Sequence, residues 1–516
     1  MRARLIWLLA FLAAYAVLLL LHGPLLHLPY FWDEAGYYIP AALDFYHSGL
    51  LVPRSTLPVG HTPLVIVYLG LAWRLWEYSP LVTRAAMTLI AAATVVTLYL
   101  LGRRVASREV SAWSALLLAL SPLFFAQSTL AHLDLTDALF TTLAVLLLLE
   151  DQLWLFALAA SLAILSKETA VVLLPVVWLY VWRGKRVGAR NHRAGLLTWV
   201  ALGVPLVPLA AWALYYHHLT GYWTGNREYL NYNLYSTLST ARGFWSLLRR
   251  AYQLFIGGFN WLLTACALVG FWWGRKHSKP DAAQVAAGPL WRPFIFLTAE
   301  LMAVYLLLLS FVGGAILPRY LLPVLPFFYL IGVALVMRLP RFPARLILAA
   351  AAACFVWAWF INPPCPFPFE DNLAYADFIR LHEQAAHFLE TQPGQPRILT
   401  AWPATDELAR PFLGYVGNSL HVVPLRGFAA TDFAEVKPES FDLLYLYSQK
   451  WEPAGNWTSR FPEWLRVQLR YFDYHSQVAA QVLVAHYRLR LLVEMEHRGQ
   501  WVRIYSQAGE PLPRPQ

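Results

Sequence analysis

Leu64-Val65-Ile66-Val67-Tyr68-Leu69-Gly70-Leu71-Ala72-Trp73-Arg74-Leu75-Trp76-Glu77 decides how the rest of the chain is threaded. The run is apolar, yet it is only about 14 residues long and carries Arg74, whereas a bilayer-crossing helix needs ~20 apolar residues. Length and charge therefore predict a helix that lies on the membrane instead of crossing it. The basic residues give an independent test, because Lys and Arg collect in cytoplasmic loops. If 64–77 does not cross, the apolar segments 5–21, 82–101, 111–127, 139–149, 153–165, 169–182, 196–216, 252–273, 294–311, 321–337 and 346–361 alternate in direction. Arg103, Arg104 and Arg108 then share a side with Arg183, Lys185, Arg186, Arg190 and Arg193. Arg275, Lys276 and Lys279, and then Arg338, Arg341 and Arg345, fall on that same side. If 64–77 crosses, every cluster from Arg103 onward is outside. The expectation is a polytopic α-helical membrane protein of about eleven spans, with the N-terminus in the cytoplasm and the C-terminus outside. Arg2 and Arg4 precede the first run, and no small-residue cleavage site follows it, so 5–21 reads as a retained span.

Composition agrees. Of 516 residues, 59% are hydrophobic and 14% charged, against roughly 25% charged in soluble domains. The net charge of +10 comes in short clusters between apolar runs, which suits a membrane topology and argues against a nucleic-acid partner. Cys266 and Cys354 lie in apolar runs and Cys365 among prolines, so no disulfide framework is implied. After Ile361 the character changes. Residues 362–368, rich in proline, read as a linker. The strand-like runs 397–401, 421–424, 441–447 and 501–505, with the amphipathic stretch 373–389 between them, predict a small extracytoplasmic α/β domain. The chain thus divides into a membrane unit, 1–361, and a C-terminal unit, 362–516. It contains no internal repeat, phosphate-binding Walker loop, CxxC pair or nucleophile elbow. The triplet Asn456-Trp457-Thr458 is a formal glycosylation pattern of a kind that arises often by chance.

The threading gathers chemistry on the outer face. Phe31-Trp32-Asp33-Glu34-Ala35-Gly36-Tyr37-Tyr38 sets two carboxylates among aromatics just after the first span. His132, Asp134 and Asp137 open one helix of a hairpin, and Lys167 and Glu168 close the other. Asp134 and Asp137 are three apart, so on a helix they share a face. The loop before Tyr320 carries Arg319, and 217–250 is rich in Tyr, Asn and Arg. An acid at a membrane surface can take a proton from an acceptor hydroxyl as a general base. A lipid-phosphate-linked sugar is a fitting electrophile, since its anomeric carbon sits at the interface. Lys167 and Arg319 could stabilise the departing phosphate. His61, before Thr62-Pro63, could orient an acid or join the acidic loop residues around a divalent metal, and no other cofactor is implied. Plain readings stand beside these: Lys167 and Arg319 as membrane-edge cations, Asp134 or Asp137 as a helix cap, His61 as loop polarity.

In order along the chain, Asp33-Glu34-Ala35-Gly36-Tyr37, His61-Thr62-Pro63-Leu64, Asp134/Asp137, Ser166-Lys167-Glu168 and Pro318-Arg319-Tyr320-Leu321-Leu322-Pro323 form a set. This set resembles the GT-C membrane glycosyltransferases, in particular glycosyltransferase family 39 and the bacterial aminoarabinose transferases that modify lipid A. The resemblance implies a GT-C fold with surface-lying helices in the first outer loop. It implies inverting transfer of a sugar from a polyprenyl-phosphate donor to a protein or lipid/glycan acceptor, at the outer face of a bacterial inner membrane. Asp33 would be the base and Glu34 its orienting partner. Asp134 or Asp137 would be the second acid, with Asp137 better spaced from the Leu-Phe that follows. Lys167, Arg319 and Tyr320 would meet the donor phosphate, and His61 and Tyr37 the substrate. Thr62 and Glu168 depart from the family's proline and glycine, and Glu168 sets a negative charge beside the phosphate lysine. The C-terminal unit lies outside the resemblance.

Two other classes remain. A transporter of lipid-linked sugars would place ionisable groups near the bilayer midplane. Here the spans carry almost none, Glu300 being the main exception, and the acids cluster in outer loops. A non-catalytic assembly partner is opposed only by the retained acid pair.

Overall fold

The computed structural model describes residues 2–58, 60–183, 195–277, 289–363, 365–452, 460–472 and 477–507. The basic residues Lys185, Arg186, Arg190, Arg193 and Lys279 and the triplet Asn456-Trp457-Thr458 lie outside them.

Every apolar segment expected to cross is helical. The membrane part runs α1 (Arg2–Leu21), α2 (Ile39–Ser48), α3 (Leu64–Trp76), α4 (Pro80–Val105), α5 (Arg108–Leu120), α6 (Pro122–Gln127) and α7 (Leu133–Leu149). It continues with α8 (Leu153–Ser166), α9 (Leu173–Trp182), α10 (Leu196–Gly203), α11 (Leu206–Thr220), α12 (Arg227–Leu230) and α13 (Thr240–Phe255). It ends with α14 (Asn260–Lys276), α15 (Trp291–Phe311), α16 (Leu325–Val336) and α17 (Arg341–Ala358). The starts obey local rules: the Ser79 hydroxyl accepts from the Val82 amide at 3.2 Å, with Pro80 in the first turn of α4. Leu20, Trp182, Leu196 and Phe342 stay exposed, as side chains facing lipid would.

Length separates these helices. Among the described residues, five helical stretches, Pro80–Val105, Leu196–Thr220, Trp291–Phe311, Pro318–Val336 and Arg341–Ala358, are long and apolar enough to cross a membrane, and the bent pair α13 and α14 makes a sixth if it counts as one span. Others of the expected spans are shorter or broken. Pro122 divides 108–127 into α5 and α6, since a proline nitrogen cannot donate to the preceding turn. The expected span 252–273 begins earlier, as the amphipathic α13, and bends by 44° where Gly258 adopts φ +58°.

The path of 64–77 follows from the way the chain brings together the two ends of the loop between α1 and α4. The Tyr30 and Tyr78 rings lie 6.2 Å apart, and the Tyr30 hydroxyl is 2.8 Å from that of Thr83. One crossing between residues 30 and 78 would separate them by ~30 Å of hydrocarbon. α3 therefore leaves and returns on one face, packed on α2 so closely that a Cβ at Gly70 would lie 2.5 Å from the Phe45 ring. At the opposite face, ion pairs join Arg104 to Glu150 (2.5 Å) and Arg345 to Glu109 (2.6 Å), so clusters distant in sequence share an end of the bundle.

The C-terminal domain comprises α18 (Ala374–Glu390), α19 (Ala404–Ala409), α20 (Pro462–Tyr471) and α21 (Ala480–Tyr487). Its strands are β1 (Ile398–Ala401), β2 (Val422–Leu425), β3 (Leu443–Tyr447), β4 (Leu489–His497) and β5 (Gln500–Gln507), in the order β2-β1-β3-β5-β4. β1 runs parallel to β2 and β3, and β5 antiparallel to β3 and β4. β3 is buried throughout, which is why it reads as an unbroken apolar run. The domain sits on the loop between α1 and α4: the Tyr415 hydroxyl donates to Tyr30 O at 3.0 Å and that of Tyr78 to Phe412 O at 2.5 Å.

Candidate active site

The acid pair divides its labour. Glu34 is fully buried and accepts from the Phe31 amide (2.8 Å), the Ala131 amide (2.5 Å) and Arg84 (2.6 Å). Arg84, also fully buried, donates in addition to Pro29 O (2.7 Å) and Thr129 O (2.9 Å). One carboxylate thus pins the loop to α4 and to the segment before α7. It faces Arg84, so Glu34 could orient Asp33 only through the backbone. Arg84 is thus a charge inside the expected span 82–101, a second exception besides the distant Glu300 of span 294–311, which pairs with Arg183 at 3.0 Å. Asp33 points the other way, at Arg319, with its side chain 20% exposed. Trp32, just before it, holds φ +46°, a conformation that costs a bulky residue about 1–3 kcal/mol and recurs at functional sites. A π-helix, Glu34–Tyr38, follows.

Glu34→Ala leaves the Arg84 charge buried without its partner. The expected loss is about 3–5 kcal/mol of stability, read as a lower thermal midpoint in detergent. An unchanged midpoint would mean that the pair does not anchor the loop.

Both candidate phosphate cations are engaged by carboxylates. Lys167 Nζ lies 2.5 Å from Asp134 Oδ1 and 3.9 Å from the centre of the Tyr320 ring. Arg319 bonds Asp33, and Glu370 at 2.7 Å, and stands 3.6 Å from Asp134. It also meets His132 Nε2 at 3.1 Å. Arginine can only donate, so Nε2 accepts and Nδ1 carries the proton toward Gln127 Oε1, 2.7 Å away. Asp137 lies elsewhere, accepting from Thr141 (2.8 Å) and Tyr305 (3.2 Å). Of the two acids on α7, the geometry joins Asp134 to the cations, although sequence spacing favours Asp137.

The two departures from the family pattern meet partners. His61 Nδ1 lies 3.0 Å from Glu168, so the Glu168 charge is directed at His61 while Lys167 goes to Asp134. The Thr62 hydroxyl donates to Ile164 O at 2.9 Å. His61 and Glu168 provide two ligands for a metal. Among the described residues no group of three or more His, Cys, Asp or Glu is placed to hold a metal ion, and His61 pairs with Glu168 and not with the Asp33-Glu34 pair.

A cavity of about 880 Å³ unites the site. Asp33, Tyr37, His61, Lys167, Arg319 and Tyr320 all line it, whereas Glu34, Asp134 and Asp137 do not. Burial, with the Asp33 charge adding to it, pushes the Tyr37 phenol up to about 12, so it stays a neutral donor. Among the lining residues that the sequence reading passes over are Glu370, Trp402 and Gln449, all of the C-terminal unit. Glu370 had a faint signal, an acid pair with Asp371 after the prolines, while Trp402 had none. Burial pushes the Glu370 carboxyl up to about 7, against the pull of Arg319 and with Asp33 and Asp134 adding to the rise.

Residues 60–215 match the family model for dolichyl-phosphate-mannose-protein mannosyltransferases. No curated protein sequence matches the chain. Among solved structures, apo ArnT from Cupriavidus metallidurans aligns over 97% of this chain and 98% of its own, at 15% identity and a TM-score of 0.55. ArnT from the same organism bound to undecaprenyl phosphate aligns over 99% of each chain, at 16% identity and a TM-score of 0.56. The chain thus shares the fold of ArnT along nearly its whole length, and residues 60–215 of its membrane part are similar to the mannosyltransferase family.

Proposed function

We propose that this protein transfers a sugar from a polyprenyl-phosphate donor to a hydroxyl of a protein, lipid or glycan acceptor, at the outer face of a bacterial cell membrane. The carrying observation is that Asp33, the partly exposed carboxylate bonded directly to Arg319, lines a single cavity with the two cations Lys167 and Arg319. Its position at the end of the bundle opposite Arg104 and Arg345 supports an extracytoplasmic site. Undecaprenyl phosphate bound to ArnT, a protein of the same fold, supports the class of lipid. Residues of 1–361 supply the acid and both cations, and Pro368, Phe369, Glu370, Trp402 and Gln449 complete the lining.

Asp33 takes the proton as the acceptor oxygen attacks the anomeric carbon. The bond from that carbon to the phosphate oxygen breaks, and polyprenyl phosphate leaves with the electron pair. A single displacement inverts the configuration. Lys167 and Arg319 balance the charge that develops on the leaving phosphate. Tyr320 lies under the Lys167 ammonium, and Asp134 holds it in place from behind. The donor phosphate competes for these cations with Asp33, Asp134 and Glu370, so binding rearranges the cluster.

Lys167→Met removes one charge-assisted contact worth about 1.5–3 kcal/mol. Polyprenyl phosphate binding to the purified protein is expected to weaken roughly 10- to 100-fold. Undiminished binding would remove Lys167 from the phosphate site.

Glu370 gives the reaction a pH dependence. Its folded pKa is raised above the ordinary carboxylate value, so the folded state holds the extra proton and stability falls as pH rises toward about 7. Above that pH the ionised carboxylate grips Arg319 and competes with the donor phosphate. Donor KM is expected to rise as pH passes upward through about 7, and Glu370→Gln to flatten that rise. The same slope in both proteins would show that Glu370 is not the titrating group.

A further inference from the structure

We propose that the C-terminal domain contributes a saccharide-binding corner to the cavity, formed by Trp402 against Trp32 and Tyr37, in a wall that Gln449 also lines. The proposal rests on the transferase reading and extends it to residues outside the matched motifs. Trp402 follows β1 directly and precedes α19. Its ring meets Trp32 at 5.3 Å and 80°, and Tyr37 at 5.8 Å and 45°. Its only polar atom is spent inside its own domain, where Nε1 donates to Asp406 Oδ2 at 3.1 Å. What Trp402 offers the cavity is therefore carbon surface. The first loop is shaped to receive it: a Cβ at Gly36 would lie 2.8 Å from Trp402 Cζ2.

Rings that only joined the two domains would be buried between them. Trp402, Trp32 and Tyr37 are instead half-buried, and all three line the cavity. A pyranose presents one face of C–H groups and a rim of hydroxyls. Flat aromatic carbon suits the face, and the amides of Gln449 and Asn231 suit the rim. Such a wall recognises the ring and ignores the phosphate, which belongs to Lys167 and Arg319. The ring is either the donor's sugar or a glycan acceptor, and the assay separates the two.

The test uses the full-length protein in detergent and in proteoliposomes. Affinity is measured for bare polyprenyl phosphate and for polyprenyl-phosphate sugar, and KM for donor and for acceptor. Trp402→Ala is expected to leave bare polyprenyl phosphate binding unchanged and to raise one saccharide KM about 3- to 10-fold. Trp402→Phe should retain most of the wild-type value. Gly36→Ala, which displaces the indole without touching the cations, should reproduce the Ala effect. A rise in donor KM, with weaker binding of the sugar-bearing lipid, assigns the corner to the donor sugar. A rise in acceptor KM alone assigns it to the acceptor. Equal weakening toward bare and sugar-bearing lipid, or a fall in kcat with both KM values unchanged, overturns the proposal. If the wild type binds neither lipid, the transferase reading fails and the proposal falls with it.

Discussion

Asp33→Asn is expected to lower the rate of sugar transfer by roughly 10²- to 10⁴-fold, the usual worth of a general base. The substitution keeps the shape of the side chain and an oxygen that can accept from Arg319, but it removes the basicity that takes the acceptor's proton. Donor binding should not weaken, because Lys167 and Arg319 are left in place and one carboxylate that competes for Arg319 has lost its charge. The neighbouring acid makes a sharp control. Glu34 points into Arg84 and does not line the cavity, so Glu34→Ala should act through folding and Asp33→Asn through kcat. Comparing both variants at equal folded fraction separates the roles of two adjacent carboxylates. A transfer rate for Asp33→Asn near that of the wild type would mean that another group takes the proton.

Arg319→Met is expected to remove both stability and activity. One guanidinium bonds Asp33 and Glu370, stands near Asp134 and donates to His132. Without it, buried carboxylates face one another unneutralised. Breaking such a cluster on one side costs about 3–5 kcal/mol, a large part of the about 5–15 kcal/mol that holds an ordinary domain folded. Lys is a poor substitute, since a single ammonium cannot serve several carboxylates in the plane of a fork. The double variant Arg319→Met with Glu370→Gln should recover part of the thermal midpoint at alkaline pH, where an orphaned Glu370 would otherwise ionise, and none of the transfer. A single variant as stable as the wild type would show that the cluster is held by other means.

Much of this was legible in the sequence because it is written locally. The length of 64–77 and the alternation of basic clusters carried the threading, and the contact of Tyr30 with Tyr78 agrees with it. Asp33, Lys167 and Arg319 stand out because each is a charge at the edge of an apolar run. The rest depends on contacts between distant parts of the chain. Glu370 and Trp402 reach the cavity only after the C-terminal domain has folded onto the first loop. Glu34 reads as a partner of Asp33 until Arg84 is seen beneath it, and Arg84 is easily passed over as one charge in an apolar stretch. β4 was not predicted because it is an edge strand, exposed along most of its length, with Arg490, Glu494 and Glu496 among its apolar residues. Asp137 has the better local spacing, but the direction of its side chain toward Tyr305 is a matter of packing.

The central claim is a transfer that releases the lipid carrier. Its most direct test is a proteoliposome assay with a panel of radiolabelled polyprenyl-phosphate sugars and acceptor extract, following labelled acceptor and free polyprenyl phosphate together. With the right donor, the two are expected to appear in equal amounts for the wild type and to be nearly absent for Asp33→Asn. Movement of the labelled lipid across the bilayer, with no labelled acceptor and no released polyprenyl phosphate for any donor, would contradict the account and make the protein a transporter.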